Sequence, residues 1–467
     1  MDFIYSIVLY ISAFILSLVP TREFREGVIA QPVSFYPMNA ESQTDRTVSK
    51  LLFRGLFKYN IYGELVPDLV ESYSISDDGL SYTVKIADNQ YFIDGKKITS
   101  DDVFYTAINS KSLQGIVIDR VDDMTVRFTL QNKYSPFLSI LTDGVIQNGS
   151  LEKGNELMPV SSGDFRVIKV KRSGPIVKEV VLYSNKFNIS KLIFRFYTSD
   201  DELKLAAKLE EIDAFMSYDN FEVENFENLK FPIVANSYGL FFNLQNETLI
   251  DKAFRQNISK SINVEEITNE YGIPAEGVIS RDYFTNKRLN FDKFDPKFST
   301  DLKGQKITMR VPNYKNNKII VSSIKKNIED KMNVDIDIEL FEPDKFINEV
   351  IRTKQFDMIF FGIESSRDAD RYLNWHSSGK LPGYNFTNFT NAMADKALED
   401  ARNEVDPIKR KVHYDKFQEV FDQNTPAILL YHPFMNYYVS KRVSGISEKF
   451  TFDVTDRFND YVNWLIN

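Results

Sequence analysis

Residues 64–105 carry the strongest local constraint on folding in this chain, because turn signals and alternating apolar residues follow one another over a short stretch. The DDG sequence at 77–79 predicts a hairpin turn between two alternating strands, and the DG sequence at 94–95 predicts a second turn. The TSDDV sequence at 99–103 predicts a helix start, with a hydroxyl residue as N-cap and acids in the first turn. Residues 64–67 are expected to lead into a short helix-like stretch, and residues 64–105 together indicate a compact β-rich unit that ends in a helix start.

This ordered series closely resembles a hallmark of the ABC-transporter extracellular solute-binding proteins of family 5, the oligopeptide-, dipeptide- and nickel-binding type. The family pattern reads P-x-L-A-E-S-W-x-x-S-x-D-G-x-x-Y-x-F-x-L-R and then F-x-D-G-x-P-x-T-A-x-D-V, and residues 67–103 follow it in order and spacing. Two later stretches are also similar to the family: a strand at 239–244 with an amphipathic helix at 251–262, and the strand PAILLY at 426–431. The resemblance covers about residues 26–467.

The resemblance implies an α/β fold of two lobes, the periplasmic-binding-protein-like fold of type II, cluster C, with an extra β-rich subdomain and an N-terminal apolar helix. The implied division places lobe I at 26–48, 160–240 and 440–467, a satellite subdomain of lobe I at 49–159, and lobe II at 241–439. Strand and helix patterns also alternate over 306–362, which favours an α/β lobe without reference to any family. Within that region, residues 341–352 predict a further helix.

Residues 3–19 form an apolar run without a charge, which is barely long enough to span a bilayer. Because no A-x-A-like cleavage site follows, residues 1–20 predict an uncleaved anchor on the outer face of a bacterial membrane, with a cleaved signal and release to the periplasm as the alternative. Asp2 before the run and the arginines after it favour the opposite orientation, which a start upstream of Met1 would explain.

The composition excludes several classes of protein. The net charge is −9 without a basic block, which argues against a nucleic-acid partner. The chain has no cysteine, so disulfides, thiol nucleophiles and lipid attachment at an N-terminal cysteine are excluded. Its three histidines lack metal-ligand spacing, and no nucleotide-binding, serine-hydrolase or zinc-protease motif is present. We therefore expect no metal, no cofactor and no enzymatic activity, with a hydrolase that uses acidic cleft residues as the least favoured alternative.

Residues 361–391 are the best candidate for a binding site. They follow an apolar strand and are rich in polar, aromatic and glycine residues, which is typical of a ligand-lining loop at the carboxyl end of a strand. The resemblance implies ligand contacts within this stretch. The candidates are Glu364, Ser365, Asp368, Asp370, Trp375, Tyr384, Asn385 and Phe386.

One residue departs from the family pattern. In the oligopeptide-binding members, an aspartate in this region pairs with the free ammonium of the peptide, and Ser365 stands at that place. A serine cannot supply the charge that a buried ammonium needs. Either Glu364 or Asp368 substitutes for it, or the ligand lacks a free N-terminus, or the ligand is not a peptide.

The resemblance also implies a mechanism and partners. A monomer would bind an oligopeptide or a related small solute between its lobes, close about hinge strands, and dock on an ABC permease with its ATPase. The predicted hinge residues are Phe241, Phe242, Asn243 and Asn436. A membrane-anchored solute sensor or a peptide-binding chaperone on the same fold is the alternative, because a fold does not fix a function.

Overall fold

The computed structural model describes residues 22–60, 62–217, 222–279, 293–379, 384–447 and 451–467. The apolar run at 3–19 lies outside these ranges, so the anchor stays a prediction. Within the described ranges, no helix is both long and apolar enough to cross a bilayer.

The strands match the alternating or apolar runs of the sequence. They are β1 (Glu23–Ile29), β2 (Phe57–Tyr59), β3 (Leu65–Pro67), β4 (Val70–Ile75), β5 (Ser81–Ile86), β6 (Val117–Asp122), β7 (Thr125–Thr129), β8 (Arg166–Ser173), β9 (Ile176–Tyr183), β10 (Lys191–Tyr197), β11 (Ala214–Ser217), β12 (Phe226–Pro232), β13 (Asn236–Phe242), β14 (Gly272–Pro274), β15 (Lys306–Pro312), β16 (Asp335–Phe341), β17 (Met358–Glu364), β18 (Ala427–Ser440), β19 (Val443–Ser444) and β20 (Leu465–Ile466).

Most of the longer helices begin at a side-chain cap that satisfies a first-turn amide. The helices are α1 (Gln43–Leu52), α2 (Ser100–Asn109), α3 (Phe137–Ile140), α4 (Asp200–Lys208), α5 (Lys252–Ser261), α6 (Val264–Thr268), α7 (Lys315–Met332), α8 (Pro343–Phe346), α9 (Tyr372–Trp375), α10 (Ala392–Asn403) and α11 (Pro407–Asn424). Short 3-10 helices occupy Pro37–Asn39, Lys111–Leu113, Leu151–Lys153, Val454–Phe458 and Tyr461–Asn463.

One large mixed sheet runs through the molecule in the order β16-β15-β17-β13-β18-β11-β1-β10-β9-β8, with β12 and β14 also paired to β18. We call the part from β11 to β8, with β12, the β1 half, and the part from β13 to β16, with β14, the β17 half. Strand β18 belongs to both, because its first residues pair with β13 and β14 and its later residues pair with β11 and β12.

The β17 half carries a core on each of its faces. Phe241 and Ile359 pack with residues of α10 and α11, whereas Phe242 and Phe360 pack on the other face with residues of α5 and α7. Alternate residues of a strand point to opposite faces, so one apolar run fills both cores. The predicted α/β fold is confirmed here, and the helix predicted at 251–262 is confirmed as α5.

The stretch at 64–105 forms part of a separate sheet with the order β4-β5-β7-β6. Gly79 and Gly95 have φ of +69° and +87°, a backbone conformation that glycine adopts without a steric penalty because it has no Cβ. Thr99 and Asp102 form a reciprocal capping box at the start of α2. Both predicted turns and the helix start are therefore confirmed, and we call this unit with its apolar core the satellite.

One local prediction was wrong and another was correct except at its ends. No helix follows residues 64–67, because Leu65–Pro67 pairs as β3 with β2 and the chain continues as β4 from Val70. The helix predicted at 341–352 is found at 343–351, as α8 followed directly by the π-helix Ile347–Ile351, while Phe341 is the last residue of β16. Pairing between strands overrides the local preference at both places.

Candidate functional site

The chain passes between the two halves of the sheet at residues 232–236 and 431–434, which we call the crossing. Strand β12 ends at Pro232 and β13 begins at Asn236, while β18 runs through without a break. His432 Nδ1 lies 2.9 Å from the carbonyl oxygen of Asn236. The two passages are thus tied to each other at the same level of the sheet.

Strand β17 ends against this crossing. The amide of Ser365 donates to the carbonyl oxygen of Ala235 at 2.8 Å, and Glu364 is paired with Asn236. The residues that follow β17 are therefore held where the two halves of the sheet meet, as expected for a loop at the carboxyl end of a strand.

The outer edge of β17 is open. Strand β13 pairs with all of β17 on one side, but β15 pairs with it on the other side only at Met358 and Ile359. Among the described residues, no strand therefore pairs with the outer side of 360–364. Because the Ser365 amide points to β13, alternation directs the main-chain groups of Gly362 and Glu364 to the open edge. An open edge of this kind can pair with an added extended chain.

Gly362 also has a packing reason to be glycine. The ring of Tyr238 lies over it, and a Cβ at this position would come within 2.8 Å of that ring. Tyr238 in turn stacks on Tyr431 with ring centroids 5.3 Å apart. The aromatic pair stiffens the sheet directly beside the open edge.

Arg367 reaches from the loop after β17 to the C-terminal segment of the β1 half. Its Nη2 lies 2.5 Å from Asp456, and its guanidinium lies over the rings of Tyr59 and Phe452, at 5.0 and 4.6 Å from their centroids. Lys50 contacts the same carboxylate at 2.6 Å. Burial acts to raise the pKa of Asp456, but the charges of Lys50 and Arg367 outweigh it and hold that pKa well below its usual value.

Two predicted site residues are carboxylates that are already paired. Asp368 accepts two hydrogen bonds from Arg410 of α11, at 2.8 and 2.6 Å, and both side chains are buried. Asp370 accepts from Arg402 of α10 at 2.9 and 2.7 Å. These pairs fasten the loop to α10 and α11, so Asp368 is not a free partner for an ammonium.

Two predicted aromatic residues lie in the core. Trp375 is 2% exposed, stacks on Phe241 and meets Phe421 edge-on with centroids 4.6 Å apart. Phe386 packs on Phe241 at 5.2 Å. Both rings stabilise the face that carries α10 and α11, and any effect on a ligand would pass through that packing.

Asn385 organises its own turn. Its side-chain amide donates to the carbonyl oxygens of His376 and Phe389, at 3.0 and 2.8 Å, and its φ is +33°. Tyr384 beside it is exposed, and residues 380–383 lie outside the described ranges. Exposed Glu364, half-buried Ser365 and exposed Tyr384 are therefore the predicted residues with surface to offer a ligand.

The four predicted hinge residues lie in two parts of the sheet. Phe241 and Phe242 are fully buried inside the β17 half. Asn243 follows β13 at its far end and donates to the carbonyl oxygen of Phe356 at 2.9 Å. Asn436 lies on β18 where it pairs with Ser217 of the β1 half, just past the crossing.

The satellite also touches the β17 half. The amide of Ser135 donates to the carbonyl oxygen of Arg402 at 2.8 Å, and its hydroxyl donates to that of Ala401 at 2.8 Å. These carbonyls belong to the last turn of α10, which lacks intrahelical partners for them. Burial, with the charge of Asp370 acting in the same direction, raises the pKa of nearby Tyr134 to about 12.

The sequence reasoning missed Tyr59, Asp456, Arg402 and Ser135 as members of this region. They come from four separate parts of the chain and no motif links them. Arg367 lies inside the predicted loop, but it is one of three basic residues there, with Arg371 and Lys380, and nothing in the sequence distinguishes it from them. Among the described residues, no group of histidine and acidic side chains is placed to hold a metal ion.

Comparison with known proteins gives one family match. Residues 64–382 match the model of the bacterial extracellular solute-binding proteins, family 5, middle region. The oligopeptide-binding protein AppA of Bacillus subtilis (strain 168) is 23% identical over 478 residues, covering 90% of this chain and 88% of AppA. The dipeptide-binding protein of Escherichia coli (strain K12) is 22% identical over 486 residues, covering 89% of this chain and 90% of that protein.

Solved structures share the fold. The substrate-binding protein CtaP of Listeria monocytogenes superposes with a TM-score of 0.78 at 22% identity, covering 95% of this chain and 99% of CtaP. NikZ of Campylobacter jejuni, in complex with Ni(L-His), superposes with a TM-score of 0.71 at 23% identity, covering 96% of this chain and 100% of NikZ. At these identities the likeness speaks for the fold and not for the ligand.

Proposed function

Since the chain belongs to family 5 of the bacterial extracellular solute-binding proteins, which are binding proteins of ABC transporters and not enzymes, we propose that it captures a peptide-like solute for import. In this proposal it works as a monomer on the outer face of a bacterial membrane, tethered through residues 3–19. It delivers the solute to an ABC permease that is driven by an ATPase.

The open edge of β17 is the observation that carries the proposal. A peptide in extended conformation can pair with the main chain of Gly362 and Glu364, which gives affinity without regard to side chains. Relatives support this class of solute, because AppA is named an oligopeptide-binding protein and its solved structure holds a nonapeptide. The side chains of the solute would lie in water-filled pockets on either side of its main chain.

We place the hinge at the crossing and not inside β13. Residues 232–236 and 431–434 are where both passages leave one half for the other, and they lie beside the proposed site. Contacts of Arg367 with Asp456 and of Ser135 with Arg402 span the gap next to it. Closure about the crossing would make or break these contacts, which supports a hinge motion of the lobes.

A pair of variants at Glu364 tests this edge. Glu364→Pro removes an outward amide, and we expect it to lower peptide affinity at least about tenfold, the value of one good hydrogen bond with partial disruption of its neighbour. Glu364→Gln keeps the amide and removes only the charge, so it is the matched control. Affinity is measured by calorimetry with tri- to penta-alanine, after native mass spectrometry has identified any solute that copurifies.

Two results would contradict different parts of this proposal. Wild-type protein that binds none of these peptides, and whose copurified solute is not peptide-like, would contradict the solute class. Equal affinity of both Glu364 variants would remove the open edge from the site while leaving the family assignment intact.

A further inference from the structure

An Asn–Gly pair lies at the tip of an exposed turn beside the satellite. Asn148 and Gly149 form this tip, and the turn is closed by a hydrogen bond of 3.1 Å from the amide of Ser150 to the carbonyl oxygen of Gln147. Asn148 is exposed, whereas Gln147 and Ser150 are buried. No other asparagine of the chain precedes a glycine. The pair is therefore presented to water on a turn whose two ends are held.

An asparagine followed by glycine can lose its side-chain amide without an enzyme. The main-chain nitrogen of the glycine loses its proton to water and attacks the side-chain carbonyl carbon of the asparagine. The new C–N bond closes a five-membered succinimide, and the side-chain nitrogen takes up a proton and leaves as ammonia. Water then opens the ring at either carbonyl, which gives aspartate or its β-linked isomer, isoaspartate. Glycine favours the attack because it has no Cβ to hinder the approach.

Both reacting groups are free in this turn. Within the described part of the chain, the amide of Gly149 has no hydrogen-bond acceptor, and the side chain of Asn148 has no hydrogen-bond partner. Apart from the chain neighbours of Gly149, no atom lies within 4 Å of the place that a Cβ on this residue would take. The glycine therefore has room to rotate toward the asparagine side chain.

The three Asp–Gly pairs of the chain are less suited to this reaction. The amides of Gly79 and Gly95 donate to carbonyl oxygens of their own turns, at 2.8 and 2.9 Å. Gly144 is buried against Phe53, so the backbone there cannot rearrange without disturbing the core. In each pair the aspartate is also ionised at neutral pH, and a carboxylate resists attack by a nitrogen nucleophile.

Asn109 is the best comparison among the other asparagines, because it precedes the small residue Ser110. Its side-chain amide donates to the carbonyl oxygen of Tyr105 at 2.8 Å, and the amide of Ser110 donates to the carbonyl oxygen of Ala107 at 3.2 Å. Both groups that would react are thus engaged at Asn109, and a side chain on the following residue hinders the attack. The same two groups are unengaged in the turn at 147–150.

Conversion would place a negative charge beside the start of α2. The main-chain amide of Asn148 donates to Oδ1 of buried Asp102 at 2.8 Å, while Oδ2 of Asp102 accepts from the amide of Thr99 in the capping box. Gln147 donates to Asp94 at 3.0 Å. A new carboxylate repels both acids, although the helix dipole of α2 offsets part of this repulsion. The β-linked isomer also lengthens the main chain of the turn by one carbon.

We propose that Asn148 is a site of spontaneous modification, at which the folded protein deamidates through a succinimide to aspartate and isoaspartate. The products loosen the contact between the turn at 147–150 and α2. Water is the sole co-reactant. The step does not involve the edge of β17, so it is independent of the proposed function.

The modification is tested by ageing the full chain in mildly alkaline buffer and digesting samples with trypsin. Cleavage isolates Asn148 in the peptide 134–153 and Asn109 in the peptide 98–111, each as the sole asparagine. We expect the first peptide to gain the mass difference between a hydroxyl and an amino group, and to separate into two chromatographic forms. Fragment spectra locate the change at Asn148. The rate should rise with pH, because the attacking nitrogen must lose its proton, while the peptide 98–111 stays unchanged.

Variants of the turn test the chemistry and its consequence. Gly149→Ala should slow conversion severalfold, because a Cβ hinders the attack, and Asn148→Gln should abolish it over the same period, since glutamine would have to close a six-membered ring. Asn148→Asp carries the new charge from the start. Its midpoint of thermal unfolding should lie below that of Asn148→Gln, which is the neutral control. The same measurement checks that all variants are folded.

Three results would overturn the modification site. They are an unchanged peptide 134–153 in aged wild-type protein, conversion of Asn109 as fast as that of Asn148, and conversion of folded Gly149→Ala at the wild-type rate. Equal unfolding midpoints of Asn148→Asp and Asn148→Gln would instead contradict the loosening of the contact with α2.

Discussion

The satellite and the loop after β17 differ in how far their contacts reach along the chain. In the satellite, the turn at Gly79 and the capping box of Thr99 with Asp102 join residues only a few positions apart. In the loop, Arg367 meets Asp456 across 89 positions, and Asp368 meets Arg410 across 42. Local contacts leave a readable pattern in the sequence, whereas contacts of long reach depend on the fold that brings their partners together.

The same comparison separates family from solute. The satellite identifies the fold, yet within the described residues it approaches the proposed site only through a few side chains such as Tyr59 and Ser135. The loop after β17 follows the proposed site directly in the chain, and it is held by two buried or half-buried ion pairs. The part that is easiest to recognise in the sequence is therefore not the part that we propose for contact with the solute.

The largest expected effect sets a long-range pair against a local cap. Asp368→Ala leaves Arg410 buried without its counter-ion and should lower the free energy of unfolding by about 3–5 kcal/mol. Thr99→Ala removes the N-cap hydroxyl of α2 and should cost only about 1–2 kcal/mol. Chemical denaturation measures both. Equal losses would show that the loop is no more dependent on its distant partner than the satellite is on its local one.

The second prediction concerns acid stability. Because the pKa of Asp456 is lowered on folding, its contribution is present above the unfolded value of 3.8 and is lost as the pH falls through the folded value. We expect stability to decline below about pH 4, and Asp456→Asn to remove up to about 2 kcal/mol of that decline. Denaturation from pH 2 to 7 measures it.

Asp453 supplies the control for this experiment. It lies on the same segment but is partly exposed and 3.6 Å from Arg367. Asp453→Asn should leave most of the acid-dependent slope in place. If both variants flatten the curve equally, the ion pair between Arg367 and Asp456 does not account for it.

The smallest expected effect is at the contact between the satellite and α10. Ser135→Ala removes the hydroxyl bond to the Ala401 carbonyl, worth about 1 kcal/mol, and should weaken peptide binding about fivefold if that contact belongs to the closed form. Small-angle scattering without solute should show a larger radius of gyration. Ser112→Ala, whose hydroxyl contacts stay within the satellite, should change neither quantity.

Much of the secondary structure could be predicted. The alternation of strand and helix predicted over 306–362 is found as β15, α7, β16, α8 and β17. The helix predicted at 251–262 is found as α5, one residue shorter at each end, because its apolar spacing already matches one buried face. The helix-like stretch expected after residues 64–67 is absent, because β3 pairs with β2 and β4 follows, whereas the helix predicted at 341–352 is present over 343–351 as α8 and a π-helix. Local preference is weak in short segments.

The candidate site was predictable only as a region. Composition placed it at 361–391, and Glu364, Ser365 and Tyr384 stay candidates for ligand contact. Trp375 and Phe386 have the residue types of a ligand site, but burial against Phe241 makes them part of the core. An aromatic residue has the same hydrophobic character in a core and in a binding cleft, so the sequence alone cannot distinguish the two.

The sequence by itself determined the family, the α/β class and the satellite turns, since these follow from residue order and from the conformational freedom of glycine at positions such as Gly79 and Gly95. Only the tertiary structure decided which oppositely charged partner each charged side chain of the loop has. Asp368 and Asp370 are neutralised by α10 and α11, while Arg367 is oriented by Tyr59, Phe452 and Asp456. Electrostatic partnership depends on distance in space, and a linear sequence does not contain that distance.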